Sequence, residues 1–190
     1  MREYDQIAEW YTSTRSPTVG VPDLAAFVRA LPPRARVLDL GCGDGVPISR
    51  FLVQEGFDVT ALDSSAEMVR RFRANLPGVP VRCERAEDAR FAAGSFEAVV
   101  AWGALFHLPE AGQGLVIQKV SGWLAPAGRF LFTSGDVEGT REGVMGGVAF
   151  RYVSLGRRGY RTLLARSGMR LVEDHTDAAG NHTYVAEKTP

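Results

Sequence analysis

The chain holds only two cysteines, Cys42 and Cys83, among 190 residues. That excludes a disulfide framework and a cysteine-rich zinc site, and two isolated thiols are most simply read as belonging to a reducing compartment. Long apolar runs are also missing, so no segment reads as a membrane span. The start Met1-Arg2-Glu3-Tyr4-Asp5 lacks the apolar stretch of a secretory signal, and a cytoplasmic protein without a membrane partner is expected. Neither sign of charge dominates, since Lys+Arg and Asp+Glu both number 22, so no global field draws the chain to nucleic acid. Histidine is scarce: His107, His175 and His182 are the three, and no metal cluster is expected. What the chain does have is 45% hydrophobic residues, which suits one domain over residues 1–190 with a core of its own.

The most informative stretch is Val37-Leu38-Asp39-Leu40-Gly41-Cys42-Gly43-Asp44-Gly45. A short apolar run ends in three glycines at alternate positions and feeds a predicted helix over Val46–Glu55. A strand entering a glycine turn at a helix N-terminus is how open α/β sheets bring backbone close to a nucleotide-like ligand, and a Cβ there would block the turn or the ligand. The dinucleotide pattern needs its third glycine one position later, where Val46 stands. Asp39 and Asp44 flank the turn, and two carboxylates oppose a pyrophosphate but attract a cation.

The next predicted strand, Asp58–Leu62, runs into Asp63. A carboxylate roughly 20 residues past the glycine turn is placed to bind both hydroxyls of a ribose. Ser64 as N-cap with Glu67 three residues on reads as a capping box, which leaves Asp63 free for a ligand. A ribose joined to positive charge without phosphate describes S-adenosylmethionine.

Elsewhere, strands are predicted at Arg36–Leu40, Val79–Cys83, Ala98–Trp102, Arg129–Thr133, Arg170–Asp174 and Thr183–Glu187. Helices are predicted at residues 3–12, Pro22–Leu31, Ala66–Leu76, Ala111–Leu124 and Arg158–Ser167. This alternation implies a doubly wound α/β domain, a mostly parallel sheet with helices on both faces. The turn-forming cluster from Asp177 to Asn181 implies a hairpin that makes the last strand antiparallel.

Several segments together resemble the class I S-adenosylmethionine-dependent methyltransferases. VLDLGCGDG is similar to their first motif and VTALD followed by SSAEM to their second. AEDARF–GSFEAVVAWGALFHLPE resembles the segment around their fourth strand, and LAPAGRFLF their fifth. The resemblance runs from about Tyr4 to the end of the chain. It implies a Rossmann-like seven-stranded sheet of order 3-2-1-4-5-7-6 and S-adenosylmethionine as cofactor, with S-adenosylhomocysteine as product. It places Asp39, Gly41, Cys42 and Gly43 of the turn beside the cofactor, with Asp63 and Ser64 at the ribose and Trp102 after the fourth strand. Where the family often has an acid that accepts from the adenine amino group, this chain has Arg85. That leaves adenine to the backbone of Ala86 and to Glu87, with Met68 against a ring face. Glu87 reads equally well as a solvated loop charge.

Tyr4, Ile7, Ala8 and Tyr11 share one helical face, which by itself describes an amphipathic helix packed on the domain. The pattern YDxIAxxYxxxR is also similar to the lid of small-molecule methyltransferases. On that reading residues 1–31 form a helical lid, and Tyr11 and Arg15 approach the cofactor. Residues 134–157 read as an irregular, glycine-rich substrate loop in which Met145, Phe150 and Tyr152 suit an apolar or aromatic acceptor or else anchor the loop.

Displacement at a sulfonium needs mainly alignment, so no base is obligatory. His107 follows the fourth strand and is the candidate base, or else a histidine hydrogen-bonded beneath its loop. His182 is a weaker candidate, and Tyr11 and Tyr184 are candidates for a polar aromatic wall. The expected activity is methyl transfer to a small molecule. A nucleic-acid or protein methyltransferase is disfavoured because Ala101-Trp102-Gly103-Ala104 stands where DNA and RNA amino-methylases carry Asp/Asn-Pro-Pro-aromatic. A non-catalytic binder of the cofactor is the remaining class.

Overall fold

The computed structural model describes residues 2–177 and 180–189. In chain order the elements are α1 (Arg2–Thr14), α2 (Val21–Val28), β1 (Arg36–Leu40), α3 (Ile48–Gln54), β2 (Asp58–Asp63), α4 (Ala66–Asn75), β3 (Val81–Cys83) and β4 (Phe96–Ala101). A single 3₁₀ turn at Leu105–His107 precedes α5 (Glu110–Trp123) and β5 (Leu124–Ser134). Then come β6 (Glu138–Met145), β7 (Val148–Leu155), α6 (Gly156–Arg166), β8 (Met169–Thr176) and β9 (His182–Lys188).

Seven strands form one sheet in the order β3-β2-β1-β4-β5-β9-β8. Pairing is parallel from β3 to β5, and β9 runs antiparallel to both β5 and β8. With β6 and β7 set aside, this is the order 3-2-1-4-5-7-6 with the last strand reversed. Successive residues point to opposite faces of a strand, and the core is split accordingly. Leu38, Val99, Phe130, Phe132 and Tyr184 pack on the face covered by α5 and α6. Val37, Val59, Ala98, Val100, Leu131 and Val185 pack on the face covered by α2 and α3. Both faces being covered explains why the central strands read as near-continuous apolar runs.

A buried polar network ties the sheet to its helices. Tyr160 of α6 meets Ser134 Oγ at the end of β5 at 2.5 Å and donates to Gln113 Oε1 of α5 at 2.6 Å. Gln113 in turn donates to the carbonyls of Leu108 and Val153, each at 2.9 Å. All three side chains are buried, so each hydrogen bond replaces one that water can no longer supply.

The structure corrects several expectations. Residues 134–157 are not an irregular loop: β6 and β7 form a separate antiparallel hairpin, paired from Glu138↔Leu155 to Met145↔Val148. Gly146 and Gly147, at φ +54° and +82°, make the two-residue turn whose left-handed backbone matches strand twist. The α3 helix starts at Ile48 rather than Val46, after Pro47 at its N-cap, because the Val46 amide is taken by Asp44 Oδ1 at 3.2 Å. The β3 strand starts at Val81, after Pro80, which has no amide to give. Ser65, not Ser64, caps α4: its Oγ accepts from the Met68 amide at 3.1 Å, while Glu67 turns away to pair with Arg70 and Arg71. The hairpin turn expected near Asp177 includes residues 178 and 179, which lie outside the described residues.

Tyr160→Phe keeps the ring but strips Ser134 and Gln113 of a partner inside the core. An unsatisfied buried group costs about 1–3 kcal/mol, and denaturant unfolding should show that loss with an unchanged slope.

Candidate functional site

The order of the sheet reverses between β1 and β4, and a cavity opens at the carboxyl ends of these strands, where open α/β sheets bind ligands. Its floor is the turn after β1 and the tip of β2, lined by Leu40, Gly41, Gly43, Leu62, Asp63 and Ser64. Met68 of α4 closes one side with Glu84, Ala86 and Glu87 from the segment after β3. Trp102, Gly103, Ala104, Leu105, His107 and Leu108, following β4, close the other. Tyr4, Tyr11 and Arg15 come over the top from α1 and the residue after it.

The floor is held by backbone. The amides of Gly41 and Cys42 both donate to the Leu62 carbonyl, at 2.7 and 3.1 Å. Gly41 (φ +79°) leaves no room for a side chain, since a Cβ would lie 2.4 Å from Ala104 Cβ. Gly43 (φ +56°) is different: a Cβ there would meet nothing within 4 Å, so its missing side chain keeps open space beside the cavity.

Asp63 joins the pieces. Its Oδ2 accepts from the Gly43 amide at 2.9 Å and its Oδ1 from the Ser65 amide at 2.8 Å, while its carbonyl accepts from the Glu84 amide at 2.9 Å. It is therefore not free, as the sequence suggested, although a carboxylate can accept more than these two bonds. Burial pushes its carboxyl up from the ordinary value, against the pull of these amides.

Tyr11, Arg15, Gly41, Gly43, Asp63, Ser64, Met68, Ala86, Glu87, Trp102 and His107 all line this one cavity. Asp39 and Cys42 do not. Asp39 is turned under the floor, where Ser49 Oγ donates to it at 2.6 Å, and Cys42 packs among Ala61, Phe72 and Leu76. Asp44 also faces away, accepting from Val46 and from the Asn75 side-chain amide. The two carboxylates that suggested a cationic ligand are thus not in the wall; those that are in it are Asp63, Glu84 and Glu87. Glu84 directly follows β3, whose end at Cys83 was expected, and it was missed because the family's acid was matched to Arg85 instead. Arg85 points outward and pairs with Glu87 at 2.5 Å.

At the other end the cavity is aromatic. The Tyr4 hydroxyl lies 3.0 Å from His107 Nε2, and the His107 ring is flanked by Phe106, Phe150 and Tyr152 at 4.7–5.7 Å between centroids. Burial holds His107 down to about 4, so it is neutral at neutral pH. Tyr4 was missed as a wall residue, although it shares a helical face with Tyr11. Of the other candidates, His182 is buried beside Thr176, His175 pairs with Asp23 at the surface, and Tyr184 is a core residue bonded to the Gly135 carbonyl. None of these three lines the cavity. Among the described residues no cluster of metal-binding side chains occurs, and no helix is long and apolar enough to cross a membrane.

Residues 37–128 match the family described as methyltransferase domain. A ubiquinone biosynthesis O-methyltransferase from Xanthomonas axonopodis pv. citri is 36% identical over 111 residues, covering 56% of this chain and 45% of the relative; the match thus spans less than half of that protein. Among solved structures, the CcbJ methyltransferase from Streptomyces caelestis superposes with a TM-score of 0.81 at 20% identity, covering 99% of this chain and 98% of that one. An amino pentose methyltransferase from Micromonospora echinaspora, solved with S-adenosylmethionine bound, gives 0.77 at 22%, covering 96% and 95%. The matched stretch, just under half of the chain, is similar to a methyltransferase domain, and the chain shares its fold with these solved methyltransferase structures.

Asp39 supplies a test of the floor. Burial raises its carboxyl to about 7, against the help of Ser49. A carboxyl with a raised folded-state pKa adds stability below the ordinary carboxylate range and loses it as pH climbs through 7. Without added ligand, the melting temperature should fall from pH 5 to pH 8. Asp39→Asn, which removes the ionisation, should flatten that fall and be more stable than wild type at pH 8.

Proposed function

We propose that this chain is an S-adenosylmethionine-dependent methyltransferase acting on a small-molecule acceptor. The observation that carries the reading is the placement of Asp63 beside Gly43: a carboxylate anchored by two amides, with open space next to a glycine that a side chain would fill. A ribose needs such an acceptor for its hydroxyls, and a close-approaching ligand needs such a glycine. Glu84, Ala86 and Glu87 offer acceptors and backbone for an adenine edge, and Met68 offers a soft surface for its face. Arg15, over the ring of Tyr11 at 5.3 Å, can meet a carboxylate at the opposite end of the ligand.

When bound, S-adenosylmethionine supplies an electrophilic methyl carbon on sulfur for in-line displacement. The residues of this chain align the partners and exclude water, a contribution of roughly 7–11 kcal/mol when geometry is good. The names of the similar proteins support a small acceptor: a ubiquinone precursor pathway in one and an amino pentose in another. So does the chemistry at the aromatic end of the site, where Tyr4, His107 and Phe150 meet ring against ring.

α1 serves as the lid on this reading. Asp5 Oδ1 accepts from Ser65 Oγ at 2.6 Å and from the Glu67 amide at 3.0 Å, so it caps α4 from outside and latches α1 beside Asp63. Hydrogen exchange should show residues 2–14 gaining protection when S-adenosylhomocysteine binds. Equal protection in both states would mean that α1 is fixed packing and not a lid.

Calorimetric titration tests the central reading. S-adenosylmethionine and S-adenosylhomocysteine should bind and NAD should not. Asp63→Ala removes hydrogen bonds to a charged group, worth about 1.5–3 kcal/mol, so affinity should drop roughly 10–150-fold. Undiminished binding by that variant would place the cofactor elsewhere.

A further inference from the structure

The acceptor end of the cavity is already filled by a side chain of the protein. The Tyr4 ring is met edge-on by Tyr11 at 5.2 Å, Phe150 at 5.1 Å and His107 at 5.4 Å, and its hydroxyl reaches His107 Nε2. Burial drives the Tyr4 phenol far above its ordinary value while it keeps His107 neutral. Both groups are therefore neutral, and in the arrangement where Tyr4 donates and Nε2 accepts, the ring's own proton sits on Nδ1. In this state His107 has no lone pair left for a substrate.

Resting on the methyl-transfer reading above, we propose that Tyr4 occupies the acceptor's own subsite, and that the acceptor is a phenol whose ring replaces Tyr4 and whose O–H donates to His107 Nε2. The slot favours this class for two reasons. The rings that meet Tyr4, those of Tyr11 and Phe150 with the imidazole, are spaced for edge-to-face contact with a flat ring. The imidazole among them is neutral, so a neutral hydroxyl in the place of Tyr4 finds a hydrogen-bond acceptor at Nε2.

The chemistry balances with the residues present. A lone pair on the acceptor oxygen forms the new O–CH₃ bond as the S–CH₃ bond breaks and leaves its electron pair on sulfur, which passes from sulfonium to neutral thioether. The phenolic proton passes to His107 Nε2, and the imidazolium returns it to water when the product leaves. Admission of the acceptor requires Tyr4 to withdraw. Tyr4 and the latch residue Asp5 are adjacent in the first turns of α1, so one movement releases both.

The test uses p-cresol, which is the tyrosine side chain cut at Cβ, with toluene as the control lacking the hydroxyl and p-toluidine as the amine. Tyr4→Ala leaves a ring-sized space on a surface helix. With S-adenosylhomocysteine present, the variant should bind p-cresol roughly fivefold or more tightly than toluene, the worth of one net hydrogen bond. With S-adenosylmethionine it should form 4-methylanisole, and the added change His107→Phe should abolish that product while S-adenosylhomocysteine still binds. Equal affinity for p-cresol and toluene, or methylation of p-toluidine in preference to p-cresol, overturns the proposal but leaves the cofactor reading standing. Failure of wild type to bind S-adenosylhomocysteine overturns both. Should the variant not fold, wild type incubated with millimolar probes and S-adenosylmethionine decides the matter: transfer to p-cresol supports the phenol subsite, and transfer to p-toluidine alone overturns it.

Discussion

Through its carboxylate and its carbonyl, Asp63 holds three parts of this protein in register and reaches a fourth through Ser65. One oxygen takes the Gly43 amide from the turn after β1, the other takes the Ser65 amide at the start of α4, and the residue's carbonyl takes the Glu84 amide after β3. Ser65 then passes the connection on, donating its hydroxyl to Asp5 of α1. Without that carboxylate, the Gly43 and Ser65 amides would need other acceptors, and the turn would lose its link to the first residues of α4. The same two oxygens that organise the floor are the ones a ribose would use. Organisation of the floor and the proposed recognition of a ribose thus rest on the same two oxygens.

The cost of the arrangement is buried negative charge. Asp39 and Asp63 both have their carboxyls raised by desolvation, and the charge of Asp63 raises Asp39 further. Arg15 and the hydrogen bonds from Ser49, Gly43 and Ser65 offset part of this. A cationic ligand in the cavity would relieve what remains. The charge argument made from Asp39 and Asp44 thus reached the right kind of ligand environment through the wrong side chains: Asp44 is spent on local turns, and the acidic wall is Asp63, Glu84 and Glu87.

The parts legible in the sequence are those where local chemistry and the final fold ask for the same residue. Near-continuous apolar runs in β1 and β4 fit a sheet covered on both faces, and Gly41 and Gly43 are needed by a turn that forms within a few residues. The hairpin of β6 and β7 was not read because its first strand, Glu-Gly-Thr-Arg-Glu-Gly-Val-Met, has no apolar alternation. It is paired on one side only, and its pattern of burial is almost wholly exposed. The Gly146-Gly147 pair between apolar residues was the available signal. The caps were misread by one residue for a tertiary reason: Asp5, 60 positions away from Ser65, decides how α4 begins.

The two ends of the cavity differ in how they are encoded, and this difference limits what each can become. The cofactor end is drawn from short contiguous stretches, residues 40–43, 62–68 and 84–87, each fixed by backbone bonds to its neighbours. The end proposed for the acceptor is assembled from Tyr4, His107, Phe150 and Tyr152, which meet through ring contacts and the one hydrogen bond between Tyr4 and His107. Two of these sit on a hairpin outside the main sheet, and one sits on the first helix. Substitutions in the hairpin or in α1 can reshape the acceptor slot without disturbing a single amide of the floor, whereas almost any change in the floor reaches Asp63. A fold built this way keeps one cofactor while it varies its acceptors. That is why motif matching reads the first well, while the second has to be read from which side chains meet at His107.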